Sequence, residues 1–300
     1  MSSVFDDIKN SFNRSGNGLN QIILINVIVF VVLIVLNVVL TLTGFRNIYD
    51  LIAYQLFLPA SIEGFLYKPW TLLTYFFTHD TGNFFHILFN MIFLYWFGML
   101  ISEFLGSRRL INLYILGGIA GGLIYLLAYN TIPYFAERAG NTVLLGASGS
   151  VYAVVIGAAV LLPDYTFFLL FLGPVKIKYI AAFYAFLSFA QTIGPNAGGN
   201  IAHLGGALMG FVYIWQLRKG NDWGKPIDSL NNFFGNLFKP KPKIKVTYRN
   251  TEKKQSSSYN DEVSQEEIDA ILDKISKHGY EKLTKEEKQK LFKASQSTHI

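Results

Sequence analysis

Ser148 and His203 are the two side chains of this sequence whose types could together break an acyl bond. A serine hydroxyl is a weak nucleophile until a base takes its proton, and imidazole suits that task near neutral pH. Ser148 stands in Gly146-Ala147-Ser148-Gly149-Ser150 and His203 in Asn200-Ile201-Ala202-His203. His86 and Asn90 are four residues apart, so on a helix both project from one face, where donors could stabilise an oxyanion together with the backbone N–H of Ser148. Tyr152 follows Ser148 by four and could stack on the imidazole. Gly206 and Gly210 share the face of His203, and with Gly149 opposite they would let two helices approach closely. No Asp or Glu falls at a matching place in these helices, so the chemistry would run on a dyad rather than a triad. Each feature alone has a plainer reading: a glycine packing seam, a serine bonded back to its own helix, a satisfied interhelical histidine, a polar clasp, an aromatic filler. What favours chemistry is their convergence.

That convergence depends on the elements carrying them. The chain has 300 residues, 51% hydrophobic and only 15% charged. Between residues 21 and 217 lie just thirteen of its 26 basic and 20 acidic side chains. A soluble globule spreads charge over its whole surface, so this pattern excludes a soluble single domain, a disordered chain and an outer-membrane barrel. With no cysteine, disulfides, thiolate metal sites and a cysteine nucleophile are excluded too. No His-Glu-x-x-His motif and no buried aspartate pair is present; no metal or cofactor is expected.

The spacing predicts an all-α polytopic membrane protein with six transmembrane helices, at about 21–43, 84–104, 110–129, 144–162, 177–193 and 200–217. The first is too long for the apolar core of a cleaved signal peptide. Residues 45–83 are aromatic and mixed, fitting short interfacial pieces, with His79 at the interface and without a role. Arg108-Arg109, Lys176 with Lys178, and Arg218, Lys219 and Lys225 would all lie on one side, which the positive-inside rule makes cytoplasmic together with both termini. Spans two, four and six then all run inward, and His86, Asn90, Ser148 and His203, each near a span's start, share one depth about 5–10 Å below the outer surface. The net charge of +6 is thus read as membrane orientation, with the lipid bilayer as partner and no nucleic acid.

The expected organisation is a cytoplasmic segment 1–20, a membrane domain 21–218, a juxtamembrane segment and linker 219–263, and a tail 264–300. The linker carries Lys-Pro repeats, and Phe233, Phe234, Leu237 and Phe238 precede it. In the tail, Ser264–Glu267 and Thr284–Glu287 fit capping boxes with Gly279 as a stop between them, predicting a small cytoplasmic two-helix hairpin at 264–276 and 284–295. The tail's partner is not legible.

The motifs Gly146-Ala147-Ser148-Gly149 with Tyr152, Ala202-His203 with Gly206 and Gly210, and His86-Ile87-Leu88-Phe89-Asn90 resemble those of the rhomboid family of intramembrane serine proteases. The resemblance covers about residues 20–218, with three separated motifs in order on the right helices. It implies a six-helix bundle with an outward-opening, water-filled cavity, and hydrolysis of peptide bonds in or near a transmembrane protein substrate's helix. By matching position, Ser148 is the nucleophile, His203 the general base, His86 and Asn90 the oxyanion stabilisers, and Gly146 and Ala147 flank the site. The resemblance, with the short termini, also implies a bacterial cytoplasmic (inner) membrane. Two positions depart from the family pattern: Thr71 follows Trp70 where the family has an arginine, and Ser102 stands where it has an acidic residue, which weakens structural hydrogen bonds there. The rival readings are a catalytically silent rhomboid-like protein that binds or escorts membrane helices, and a small transporter, which would need ionisable groups across the whole bilayer.

Overall fold

The computed structural model describes residues 17–169, 172–229 and 264–297. The expected N-terminal segment through residue 16, the apolar cluster from Phe233 to Phe238 and the linker lie outside the described residues. The chain divides into two compact units, Met1–Lys239 and Pro240–Ile300.

The first unit is mostly helical. Its long helices are α1 (Gly18–Leu42), α5 (Phe84–Leu105), α6 (Ser107–Thr131), α8 (Ser148–Leu161), α9 (Ile177–Ala190) and α10 (Ala197–Arg218). Short pieces fill residues 45–83: α2 (Arg46–Tyr54), α3 (Ile62–Tyr67) and α4 (Thr71–Thr74), with α7 (Pro133–Ala136) after α6. Among the described residues, α1, α5 and α6 are long and apolar enough to cross a membrane by length and composition; α8 and α9 are shorter apolar helices. On α1, Val31, Val35, Val38 and Val39 are each about half exposed, and on α9 Phe183, Phe186 and Phe189 still more so. So broad an apolar surface is stable against acyl chains rather than water.

Two small antiparallel ladders qualify the all-α expectation. Strand β1 (Leu58–Pro59) pairs with β2 (Val143–Leu144), and β3 (Thr166–Leu169) pairs with β4 (Gly173–Lys176). The first ladder corrects the predicted start of the fourth apolar stretch. Residues 143–144 are tied to the 58–59 segment, and Gly146 has φ +115°, a backbone conformation that side-chain-bearing residues rarely adopt. The helix therefore begins at Ser148. At 14 residues it is about 21 Å long, shorter than a hydrocarbon core of about 30 Å.

This short helix is the centre of the unit. Ala153, Val154, Val155 and Ala158 on it are fully buried, and α5, α6, α9 and α10 surround it. Three helices meet backbone to backbone. A Cβ on Gly206 would lie 1.9 Å from the Gly149 oxygen, one on Gly210 2.3 Å from the Ala153 oxygen, and one on Gly121 2.8 Å from the Ala202 oxygen. Without glycine at these places α10 could not lie on α8 and α6.

Arg108, Arg109 and Arg218 gather at the end of the unit opposite Ser148. Arg108 pairs with Asp228, which also accepts from Asn112 Nδ2 at 3.1 Å. Arg109 lies 3.5 Å from Asp222, and Arg218 donates to the carbonyls of Val160 and Leu161 at 2.6 and 3.2 Å. These contacts join the start of α6, the end of α8 and the residues after α10. At the base of the β3–β4 ladder, Lys178 and Lys176 donate to Asp164 Oδ1 at 2.8 and 2.9 Å.

The second unit contains α11 (Gln265–His278) and α12 (Lys285–Ser297). Ser264 Oγ accepts from Glu267 N at 3.4 Å, and Gly279, at φ +81°, ends α11. Thr284 and Glu287 cap reciprocally, with Thr284 N to Glu287 Oε2 at 2.7 Å and Glu287 N to Thr284 Oγ1 at 3.3 Å. Lys274 and Lys290 reach Glu287 and Glu267 across the pair, over buried Ile271 and Leu283.

Two outcomes follow from this packing. Gly206→Ala should cost about 1–3 kcal/mol by overpacking, read as a lower unfolding midpoint in detergent, whereas Gly140→Ala, which meets open space, should leave it unchanged. A Gly206→Ala protein as stable as the parent would mean that the two helices are not held at this distance. Hydrogen bonds from Lys178 and Lys176 hold the Asp164 carboxyl down at about 2, below the usual carboxylate range. A depressed carboxylate stabilises the folded ladder above the ordinary Asp range and loses that effect as pH falls toward 2. Amide exchange in β3 and β4, corrected for its intrinsic rate, should therefore speed up between about pH 4 and 2, and should be fast throughout in Asp164→Asn.

Candidate active site

The site forms where α8 begins. Ser148 occupies the first helical position, and its Oγ lies 2.7 Å from His203 Nε2. His203 sits near the start of α10, 55 residues later, and the contact is possible because Gly206, one turn on, presses against the Gly149 carbonyl. The Tyr152 ring stacks on the imidazole with centroids 4.3 Å apart and planes 8° from parallel, which blocks rotation of the histidine on that side.

His86 and Asn90 lie on α5. The imidazole of His86 packs against Gly146, so that a Cβ there would fall 2.8 Å from His86 Nε2 and 3.8 Å from Ser148 Oγ. The glycine thus serves twice, giving the chain its left-handed turn and leaving room for His86 beside the serine. Asn90 is buried, and its amide donates to the His86 backbone oxygen at 2.8 Å, one turn back on the same helix. Both residues line a cavity of about 1150 Å³ that also takes in His79, Tyr152, Ser188 and His203. Ala147 is fully buried at the helix cap. Within bonding distance the structure brings together Ser148 and His203; Tyr152 and His86 lie against this pair, and Asn90 lines the same cavity.

At three positions the structure adds to the reading of the sequence. His79 is 1% exposed, with its ring edge-on to that of His86 at 5.2 Å. Burial with a like neighbour pushes its imidazole far below the ordinary range, to about 3, so it is neutral. Thr71, at the position of the family's arginine, is fully buried and donates to the Lys68 oxygen at 2.6 Å, while the Trp70 indole N–H donates to the Gln55 oxygen at 2.9 Å. Ser102 bonds Ser107 across the α5–α6 turn at 3.0 Å. The two departures from the family pattern therefore carry hydrogen bonds of their own.

Ser188 was missed by the sequence reading. It lies near the end of α9, is 2% exposed, and stands 3.1 Å from His203 Nδ1 and 2.8 Å from the Tyr152 hydroxyl. A signal for it existed, since it is a hydroxyl in an apolar helix. It stands at the end of a helix rather than at a start, because α9 runs opposite to α10 and reaches the level of His203 at its end.

Comparison with known proteins places the chain in a family. Residues 67–220 match the Rhomboid domain family, and residues 257–297, which include both tail helices, match DUF6576, a family of unknown function. The chain is 35% identical over 160 residues to RHOMBOID-like protein 12, mitochondrial, of Arabidopsis thaliana, covering 50% of this chain and 47% of that protein. It is 32% identical over 152 residues to Rhomboid protein 1, mitochondrial, of Saccharomyces cerevisiae, covering 48% and 40%. A third relative, Rhomboid-like protein 11 of Arabidopsis, is chloroplastic and 33% identical over 155 residues, covering 48% and 50%. The chain thus spans about half the length of the curated relatives it matches. Their organellar names run against the expected bacterial membrane, which is not kept. Protease function is typical of proteins built this way, and with a domain match over half its length the chain belongs to the rhomboid family.

Proposed function

We propose that the protein is an intramembrane serine protease that hydrolyses peptide bonds in or near transmembrane segments of other proteins through the Ser148–His203 dyad. The observation that carries this reading is the 2.7 Å approach of Ser148 Oγ to His203 Nε2 under the stacked Tyr152 ring. Nucleophile, base and orienting group stand in the relation that acyl transfer requires.

The reaction runs in two halves. As Ser148 Oγ bonds to the carbonyl carbon of the scissile peptide, its proton passes to His203 Nε2. Negative charge collects on the carbonyl oxygen. The backbone N–H of Ser148 opens α8, where the first N–H groups lack intrahelical acceptors, and it stabilises that charge with His86 and Asn90. The C–N bond then breaks and His203 returns the proton to the leaving amine, leaving an ester on Ser148. Water attacks the ester with its proton drawn to Nε2, the C–Oγ bond breaks, and Ser148 recovers its hydrogen.

The membrane setting follows the same reading. The chain crosses the bilayer six times, with the short α8 and α9 making up only part of their crossings; both termini and the arginine and lysine clusters lie on the positive-inside face, and the cavity opens to the opposite face. The short α8 begins below that surface, which admits water to a bond otherwise shielded by lipid. A substrate helix enters beside α9, whose outer face carries Phe183, Phe186 and Phe189.

Purified protein should cleave members of a panel of model transmembrane substrates, and a fluorophosphonate should label it. Ser148→Ala should abolish both, and His203→Ala should slow both by about 10²–10⁴-fold. Persistent labelling of Ser148→Ala would remove Ser148 from its role. A well-folded parent that neither cleaves nor labels would instead favour the helix-binding, catalytically silent alternative.

A further inference from the structure

We propose that Ser188 is a positioning residue that sets the tautomer of His203, relaying to it a constraint that originates at a backbone carbonyl. The inference rests on the dyad reading above and extends it by one further pair of side chains.

The argument starts from a group with no freedom. The Tyr184 carbonyl can only accept, and the Tyr152 hydroxyl donates to it at 3.4 Å. With its one proton so directed, the Tyr152 oxygen presents lone pairs to its other neighbour, the Ser188 hydroxyl, which donates to it at 2.8 Å. Ser188 then has no second proton to give. Toward His203 Nδ1, 3.1 Å away, its oxygen can only accept, so Nδ1 carries hydrogen. A neutral imidazole protonated at Nδ1 has its lone pair on Nε2, the atom 2.7 Å from Ser148 Oγ. Four hydrogen bonds in one direction leave the base in the single tautomer able to take the serine proton.

The surroundings protect this chain. Ser188 is 2% exposed and Tyr152 9%, so water competes poorly for either hydroxyl. Tyr152 both stacks on the imidazole and fixes the Ser188 proton, which joins ring orientation to tautomer in one side chain. An acidic partner would fix the tautomer by charge. Here a neutral relay does so without burying an ion, which in apolar surroundings costs far more than burying a satisfied hydroxyl.

The relay makes a prediction that simple packing does not. In Tyr152→Phe the stacked ring remains, but the Ser188 proton is released and can turn onto Nδ1, which favours the unreactive tautomer. In Ser188→Ala the Tyr152 hydroxyl has no route to the imidazole. The two losses should therefore not multiply.

The test uses the purified full chain in detergent and the rate at which a fluorophosphonate labels Ser148, separated into a maximal rate and a half-saturating concentration. Ser188→Ala should lower the maximal rate about tenfold, the worth of one orienting hydrogen bond, with the half-saturating concentration unchanged. Ser188→Thr, which keeps the hydroxyl, should recover to within about threefold of the parent. Tyr152→Phe should also be slow, and the double variant should be no slower than Ser188→Ala. The proposal is overturned if Ser188→Ala labels at the parent rate, if Ser188→Thr is no better than Ser188→Ala, or if the two single effects multiply in the double variant. If Ser148→Ala still labels, the dyad reading fails first; if it does not label while Ser188→Ala behaves as the parent, only the relay fails. Equal unfolding midpoints across the set exclude misfolding as the cause.

Discussion

A carbonyl oxygen of one helix and the α-carbon of another cannot approach closely if either residue carries a side chain between them. The meeting of Gly149 and Gly206 removes that obstacle, since a Cβ on Gly206 would lie 1.9 Å from the Gly149 oxygen. The rest of the site depends on this approach. Ser148 precedes Gly149 by one residue and His203 precedes Gly206 by three, so setting the glycines together sets the hydroxyl and the imidazole together. Gly210 on Ala153 and Gly121 on Ala202 repeat the device on either side and leave the α6–α8–α10 core little room to slide. In a bilayer, where burying apolar surface gives no drive for one helix to seek another, such backbone-close packing is what association must rely on.

The short central helix sets where the proposed nucleophile stands. Helix α8 is held back from the end of the unit by the β1–β2 ladder and by the left-handed turn at Gly146, so Ser148 is placed at a helix start rather than within a helix. A serine in mid-helix would have its own backbone N–H committed to the residue four before it. At the first helical position that N–H is available to an incoming oxygen. One turn of glycine thus supplies the space for His86, the exposure of the Ser148 amide and the depth of the hydroxyl. The opposite end of the unit is tied differently, by Arg108, Arg109 and Arg218 reaching acidic side chains and helix-end carbonyls, and it takes no part in the site.

The sequence could be read well where its signal was local. Apolar stretches of the right length located the long helices, because α-helix is the structure that satisfies backbone hydrogen bonds in lipid. Capping boxes located the tail helices, because Ser264, Thr284 and Glu287 act on amides three residues away. The sequence read poorly where structure came from distant partners. Nothing near residue 144 announces a strand pairing with residue 58, so α8 was begun four residues early. The burial of His79 is likewise not legible locally, because its ring packs against Phe30 of α1 and His86 of α5. Ser188 was passed over because a lone hydroxyl near a helix end acquires meaning only once His203 and Tyr152 stand beside it.

By itself the sequence determined which segments are apolar helices, which residues are candidates for a nucleophile and a base, and where the family motifs lie, since these follow from residue type and short-range spacing. Only the tertiary structure decided which atoms meet: Ser148 Oγ with Nε2, Ser188 Oγ with Nδ1, the Tyr152 ring on the imidazole face. The physical reason is one of range. Helix formation is written within a turn or two of chain, whereas the orientation of a proton between side chains from three helices depends on how closely their backbones pack, and that is settled by all of them at once.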